Sequence, residues 1–343
     1  ALFGAALAGI PYVPLNYRLA DADLGALLDR IAPAYVIGDE TRTKRLSDGH
    51  TSSSRNVFVS AAQAAADGAS GEEREGEGIA AQIFTSGTTA APKAALLRHA
   101  NLMGYILGTV EFMSADEEAA QLVCVPPYHI AGISTLLSNM YAMRRIVMLP
   151  AFEPDTWLQL ASDEGVSNAF VVPTMLARII ARINEGVKTD LSNLQAIAYG
   201  GGRMPPELIA QALELFPNTN FTNAYGLTET SSTVALLGPD DHRIAFNSDN
   251  PKVRARLASV GKPLPTIELE IRDEDGKLLP AGEPGEIYVR GEQVSGEYRG
   301  RSALDAEGWF PTRDAGYLDD EGYLFLSGRA DDVIVRGGEN ISP

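Results

Sequence analysis

"AQIFTSGTTAAPKAALLRH", residues 81–99, reads as an apolar run, a loop crowded with hydroxyls, and a second apolar run. Its centre, Thr85 to Lys93, packs four hydroxyl residues, one glycine, two alanines, one proline and one lysine into nine positions, a mix that no packed core would choose. A strand ending in small and hydroxyl-bearing residues turns several backbone N–H groups and side-chain donors toward one point. That concavity suits phosphate oxygens, with Lys93 as the cation. The spacing is not that of the Walker loop, because no Gly-Lys-Ser/Thr closes it and a β-like run follows where a helix would start. Read alone, the cluster is also what an ordinary turn looks like.

Working outward, short apolar runs alternate with longer amphipathic ones from about Ala80 to Ala224, as expected when helices cover both faces of a mostly parallel sheet. The expected strands are residues 81–84, 121–125, 145–149, 169–172, 196–199 and 221–225. Between them "PPELIAQALELF" (205–216) begins with prolines suited to a first helical turn and sets Leu208, Ile209, Ala212 and Leu215 on one face. After about Gly238 the period changes. Ile267, Leu269 and Ile271 alternate, a turn falls at Asp275-Gly276, and alternation resumes at Ile287 and Val289. "GYLDDEGYLFLSGR" repeats this with a turn at Glu321-Gly322, so a small antiparallel barrel or sheet is expected. "DGASGEEREGEG" (67–78) reads as a solvated acidic loop.

Composition narrows the function. At 343 residues, 45% hydrophobic and 21% charged, the chain has the make-up of a globular protein of about two domains. Acidic residues outnumber basic ones 45 to 28, and a formal charge of −17 repels a phosphate backbone and an anionic membrane surface, so neither is an expected partner. The single cysteine, Cys124, lies in an apolar run; this excludes a disulfide framework or thiolate cluster and points to the cytoplasm. The apolar opening "ALFGAALAGIPYVPL" (1–15) is broken by Gly9 and Pro11 before it can span a bilayer, and reads as a buried helix running into a strand. With neither an initial methionine nor terminal character, the chain reads as an internal piece of a longer protein.

Three more stretches carry chemistry. In "NAYGLTETSS" (223–232) a strand ends at Tyr225-Gly226: tyrosine offers a face to a base, glycine allows close approach, and Thr228 and Glu229 suit a phosphate and its magnesium. The alternative is a helix start capped by Thr228. "YGGGRMPPEL" (199–208) places three glycines at a strand end, for an adenine edge or a flexible turn. In residues 308–340, Asp314 can accept both hydroxyls of a ribose with help from Arg329; a surface salt bridge is the other option.

In order and spacing these motifs resemble the adenylate-forming superfamily of acyl- and aryl-CoA synthetases, luciferases and peptide-synthetase adenylation domains. The resemblance runs from "AGIPYVPLNYRL" (8–19) to the end of the chain. It implies a large N-terminal domain of two α/β subdomains, with mostly parallel sheets covered by helices, plus a small distorted antiparallel β-barrel. The subdomains fall at residues 1–237 and the barrel at 238–330, with 331–343 as hinge and start of a small mobile C-terminal domain. By the same resemblance Thr85, Ser86, Gly87, Thr88, Thr89 and Lys93 hold the ATP phosphates, and Gly200, Gly201 and Gly202 line adenine. Tyr225 with Gly226 stacks the base, Thr228 meets phosphate, Glu229 ligates Mg2+, and Asp314 and Arg329 bind ribose. Asp331 is the hinge, and Gly337 and Gly338 line the CoA tunnel.

The implied reaction joins a carboxylic acid to ATP as an acyl-adenylate with loss of pyrophosphate, then transfers the acyl group to the thiol of CoA. In "VPPYHIAGIS" (125–134), Tyr128-His129 stands where amino-acid-activating members carry an Asp, so the substrate is expected to lack an α-amino group. His129 becomes a catalytic gate at the carboxylate or a structural histidine, and Ile130, Ala131, Ala224 and Gly226 form a small apolar pocket for an aryl or fatty acyl group. Ala90 and Ala94 depart from the glycines usual in the phosphate loop, and Arg313 from a small residue before Asp314. A carrier-protein pantetheine as acceptor and a nucleotide-binding scaffold of impaired activity stay as alternatives, and assembly is left open, a homodimer included.

Overall fold

The computed structural model describes residues 1–46, 51–65, 78–85, 92–329, 334–336 and 339–341. They fall into two units, Ala1–Gly78 and Ile79–Pro343. In the first, the parallel strands Tyr35–Gly38 and Thr51–Ser54 carry the helices Asp21–Ile31, Glu40–Leu46 and Arg55–Ala65. Leu24, Leu27 and Leu28 are buried, and Arg42 ties the unit together by donating to Asp21 Oδ1 at 3.1 Å and to the Leu19 carbonyl at 3.2 Å. The opening helix, Leu2–Leu7, differs from expectation: none of its residues is buried, and Phe3 and Leu7 are exposed. Fewer than two turns give it too little apolar face to form a core.

The second unit is built on a seven-stranded sheet. Its order is Lys262–Pro263, Ser232–Leu237, Asn220–Leu227, Ala196–Gly200, Asn168–Val171, Ala120–Val123 and Arg145–Met148. The last five are parallel to one another, and the first two join antiparallel. The helices Pro154–Asp163, Pro173–Asn184 and Pro206–Leu215 each start with proline in the first turn, and the carboxylate of Glu153 accepts the Asp155 and Thr156 N–H groups at 3.0 and 3.1 Å. They bury Trp157, Leu176, Ile179 and Ile209 against Ile197 and Phe221 of the sheet.

One expected member of that sheet lies elsewhere. The run at residues 81–84 belongs to the strand Ile79–Thr85, which forms an antiparallel hairpin with Lys93–Arg98 instead of a parallel neighbour. This hairpin extends through Glu297–Tyr298 and Arg301–Ser302 into a four-stranded sheet of its own. Periodicity identifies a buried strand but does not name its partner.

The antiparallel module expected after Gly238 contains a second four-stranded sheet, Glu268–Arg272, Gly285–Arg290, Phe310–Leu318 and Leu324–Arg329. Its apolar face, including Ile271, Ile287, Val289 and Leu324, packs with Tyr225 and Val234 of the seven-stranded sheet in one cluster. Three turns in this region share one design. Asp273, Asp305 and Asp319 each accept two later backbone N–H groups on Oδ1, and Gly276, Gly308 and Gly322 follow at φ of 79°, 83° and 81°. Two of these turns were expected from the sequence; the one at Asp305-Gly308 was not.

Candidate active site

The strand Asn220–Leu227 carries Tyr225 to the seam between the two sheets, where the ring is buried. Its hydroxyl donates to Asp314 Oδ2 at 2.7 Å, and Arg329 Nη1 lies 3.2 Å from Asp314 Oδ1. Asp314 and Arg329 are register partners across Phe310–Leu318 and Leu324–Arg329, which is why residues fifteen apart in sequence meet. The Thr312 hydroxyl accepts the Asp314 N–H at 3.1 Å, a buried support that sequence reading missed. Burial raises the Asp314 carboxyl above the usual range and the nearby Glu229 charge adds to this, while Tyr225 and Arg329 oppose it. The Tyr225 hydroxyl is pushed well up by burial and by Asp314.

Glu229 sits in the 3-10 turn Thr228–Thr230 at the end of this strand, and is 8% exposed. Thr230, not Thr228, closes the turn, its hydroxyl accepting the Leu227 N–H at 3.0 Å, so the helix-start reading of Thr228 is replaced. Tyr298 donates to Glu229 Oε1 at 2.7 Å, and burial and the Glu229 charge raise this phenol as well. Nothing in "SGEYRG" marks Tyr298, since the contact exists only because two segments far apart in sequence pack together. Gln293, almost wholly buried, donates to the Thr230 and Thr233 carbonyls at 3.0 and 2.7 Å and braces the same turn.

The hairpin with which the phosphate-loop motif opens and closes pairs Thr85 with Lys93, both partly buried, at the base of the loop. Ser86, Gly87, Thr88, Thr89 and Ala90 lie outside the described residues, as do Asp331, Gly337, Gly338 and all of the acidic loop but Gly78. Ala94 is a buried strand residue opposite Phe84, so its β-carbon packs in the sheet. Gly200 pairs with Ala224, beside Tyr225, and a β-carbon on it would lie 2.3 Å from the Ala224 carbonyl oxygen. Gly201 holds φ of 72°, and a β-carbon on Gly226 would fall 1.8 Å from the Ser232 oxygen. Glycine at these positions is therefore required by the backbone itself.

His129 is the exposed residue preceding the helix Ile130–Tyr141, with its ring 4.6 Å from that of buried Tyr128. Ile130 and Ala131 are partly buried in its first turn. The helix is tied to the segment after Glu229 by Ser232 Oγ donating to Ser134 Oγ at 3.1 Å. Cys124 is buried, and burial pushes its thiol up to about 12, away from the thiolate form that reacts.

Among the described residues no group of three or more His, Cys, Asp or Glu side chains stands close enough to cage a metal. One buried carboxylate, Glu229, fits magnesium, which keeps several waters and takes its other ligands from substrate phosphates.

Residues 1–299 match the family model described as AMP-binding enzyme. Over 265 residues the chain is 34% identical to the 2-succinylbenzoate–CoA ligase of Bacillus cytotoxicus, an alignment covering 76% of this chain and 52% of that protein. The chain thus spans about half the length of the curated relatives it matches. Its fold superposes on the O-succinylbenzoate coenzyme A synthetase of Bacillus subtilis in complex with ATP and magnesium ion, with a TM-score of 0.82 and 27% identity over all of this chain and 69% of that one. Apo MatB from Rhodopseudomonas palustris shares the fold at a TM-score of 0.83 and 24% identity, covering 100% of this chain and 68% of that one.

Proposed function

The chain belongs to the AMP-binding enzyme family, and from that membership we propose that the protein activates a carboxylic acid with ATP and transfers the acyl group to the thiol of CoA. The observation carrying this reading is the seam at which Tyr225, Asp314 and Arg329 meet, with the Glu229 charge felt at Asp314. It gathers an aromatic ring, a carboxylate for a diol, a cation and a carboxylate for a metal.

In the first half-reaction a substrate carboxylate oxygen bonds to the α-phosphorus of ATP, the bond from that phosphorus to its bridging oxygen breaks, and pyrophosphate leaves. In the second, a thiolate sulfur bonds to the acyl carbon and AMP departs with the electron pair of the anhydride bond. Bound with ATP, magnesium neutralises phosphate charge as the second anion approaches. Glu229 holds it. Lys93, Thr85 and Thr228 take phosphate oxygens together with Ser86, Gly87, Thr88 and Thr89, Asp314 accepts the ribose hydroxyls, Arg329 pairs with that carboxylate, and Gly200, Gly201, Gly202, Tyr225 and Gly226 enclose the base. Asp331 as hinge and Gly337 and Gly338 at the CoA tunnel complete the scheme, within the division at 237 and 330.

For the acid we propose an aromatic carboxylate without an α-amino group, gated by His129 over Ile130, Ala131, Ala224 and Gly226. The relatives' printed substrate, 2-succinylbenzoate, supports an aryl over a fatty acid. No helix among the described residues is long and apolar enough to cross a membrane; from the single cysteine we propose a reducing cytoplasm as its location. Pyrophosphate release from the full-length protein, over aryl and short-, medium- and long-chain acids with and without CoA, tests the scheme. Aryl acids should release pyrophosphate fastest and yield a thioester only with CoA. Silence with every acid would refute it.

A further inference from the structure

The carboxylate of Glu229 is held by a segment that none of the nucleotide motifs includes. The Ser295 and Gly296 N–H groups donate to the Glu229 carbonyl at 2.9 and 3.2 Å, and two residues on, Tyr298 donates to its Oε1 at 2.7 Å. The segment is fastened in turn to the strand that begins at Lys93. Tyr298 pairs with Ala95 and Glu297 with Leu96, the Arg299 N–H donates to the Ala94 carbonyl at 3.2 Å, and Ser295 Oγ donates to the Leu96 carbonyl. On its other side Glu229 is followed by Ser231 and Ser232 at φ of 54° and 116°, a costly backbone that persists only where its surroundings impose it. The Arg301 guanidinium lies 5.0 Å from the centre of the Tyr298 ring and steadies it from the solvent side.

We propose that Tyr298 is the positioning residue for the metal-ligating carboxylate: its hydroxyl takes Glu229 Oε1 and leaves the second oxygen for the cation that accompanies ATP. A neutral O–H donor suits this task, because it fixes the carboxylate rotamer without bringing a competing positive charge. Through the ladder to Lys93–Arg98, Tyr298 also joins Glu229 to the strand that begins at Lys93.

The proposal rests on Glu229 being the metal ligand, and its test separates the two. Binding of a non-hydrolysable ATP analogue to the full-length protein is measured by calorimetry in EDTA and at saturating magnesium, and the ratio of the affinities gives the metal coupling. Tyr298→Phe should lower this ratio about tenfold, the effect of one lost hydrogen bond to a charged group, while leaving affinity in EDTA unchanged. Glu229→Gln should abolish the ratio, and Glu297→Gln, beside Tyr298 on its strand and with a side chain that bonds Arg98 across the ladder, should keep it. An unchanged ratio in Tyr298→Phe, or an equal loss with and without magnesium, overturns the positioning role. A wild-type ratio in Glu229→Gln overturns the underlying ligand assignment as well.

Discussion

Arg313 holds φ of 65° in the irregular stretch where Tyr288 pairs with Pro311 but Glu286 pairs with Ala315, and its N–H donates to Glu286 Oε1 at 3.2 Å. That bulge delivers the next residue, Asp314, to Tyr225. A left-handed backbone costs a side-chain-bearing residue about 1–2 kcal/mol, so Arg313→Gly should raise the unfolding free energy by about 1 kcal/mol. Urea denaturation reads this directly, and a lower midpoint would contradict it. At the proposed metal ligand, Glu229→Gln keeps the shape and loses the charge; pyrophosphate release should fall by about a hundredfold, on the scale of one preorganised electrostatic contact. Undiminished release at limiting magnesium would rule the role out. Away from the site, His242 is fully buried, its Nε2 2.8 Å from the Tyr199 hydroxyl and its Nδ1 2.7 Å from the Gly238 carbonyl, and burial pushes the imidazole down to about 4. Between about pH 6.5 and 4 the unfolded chain takes up a proton that the folded one refuses. Stability is therefore full above the upper value and declines as pH falls, by about 2 kcal/mol at pH 5. His242→Gln should flatten that part of the pH–stability curve, and an unchanged slope would remove His242 as its source. Tyr225, Glu229, Asp314 and Arg329 were named from the order and spacing of several motifs together, each of which allows another use when read alone; that Tyr225, Asp314 and Arg329 meet is what the structure adds. Tyr298 and the Tyr199–His242 pair were not legible, because each contact joins segments that only tertiary packing brings together.

At the scale of elements, two of the three Asp–Gly turns were readable for the opposite reason, being closed by groups within five residues of one another; the third, at Asp305, is closed just as locally and was missed because no alternating run leads into it. They are alike in geometry and differ in what they connect. The turn at Asp319 joins the strands that set Asp314 against Arg329, whereas that at Asp273 lies between Glu268–Arg272 and Gly285–Arg290, away from the seam. Alanine at either position strands two N–H groups near the surface, and each variant should lose about 1 kcal/mol of stability. Asp319→Ala alone should also weaken binding of the ATP analogue, through a less well-held Asp314–Arg329 register. Equal binding losses in the two variants would show that the register is fixed elsewhere. The strand at residues 81–84 illustrates the limit of such reading: its apolar run identifies a buried strand, but its antiparallel partner across the Thr85–Lys93 loop depends on how the chain returns. The opening helix likewise carries apolar residues without a core to receive them.

On the scale of the molecule, the candidate site is where three sheets of the unit Ile79–Pro343 meet. The seven-stranded sheet supplies Tyr225 and leads into Glu229, the sheet ending at Leu324–Arg329 supplies Asp314 and Arg329, and the hairpin sheet supplies Lys93 and Tyr298. In the proposed function each sheet takes a different part of the nucleotide, so a ligand contacting all of them would stabilise their mutual packing and not merely one loop. The formal charge of −17 works against any anionic nucleotide at long range, so the proposed binding has to come from short-range groups, Lys93 and Arg329 among them. At a hundred times its dissociation constant, the ATP analogue with magnesium should add about 2.7 kcal/mol to the stability of whatever unfolds as one piece with the site. Amide exchange followed by mass spectrometry distinguishes the possibilities. If the seam couples the three sheets, exchange should slow together in peptides covering Lys93–Arg98, Asn220–Leu227 and Leu324–Arg329, including amides that touch no nucleotide atom. Protection confined to Asn220–Leu227 would mean that the nucleotide is held by one sheet, and that the Tyr225–Asp314 and Tyr298–Glu229 hydrogen bonds do not transmit its binding.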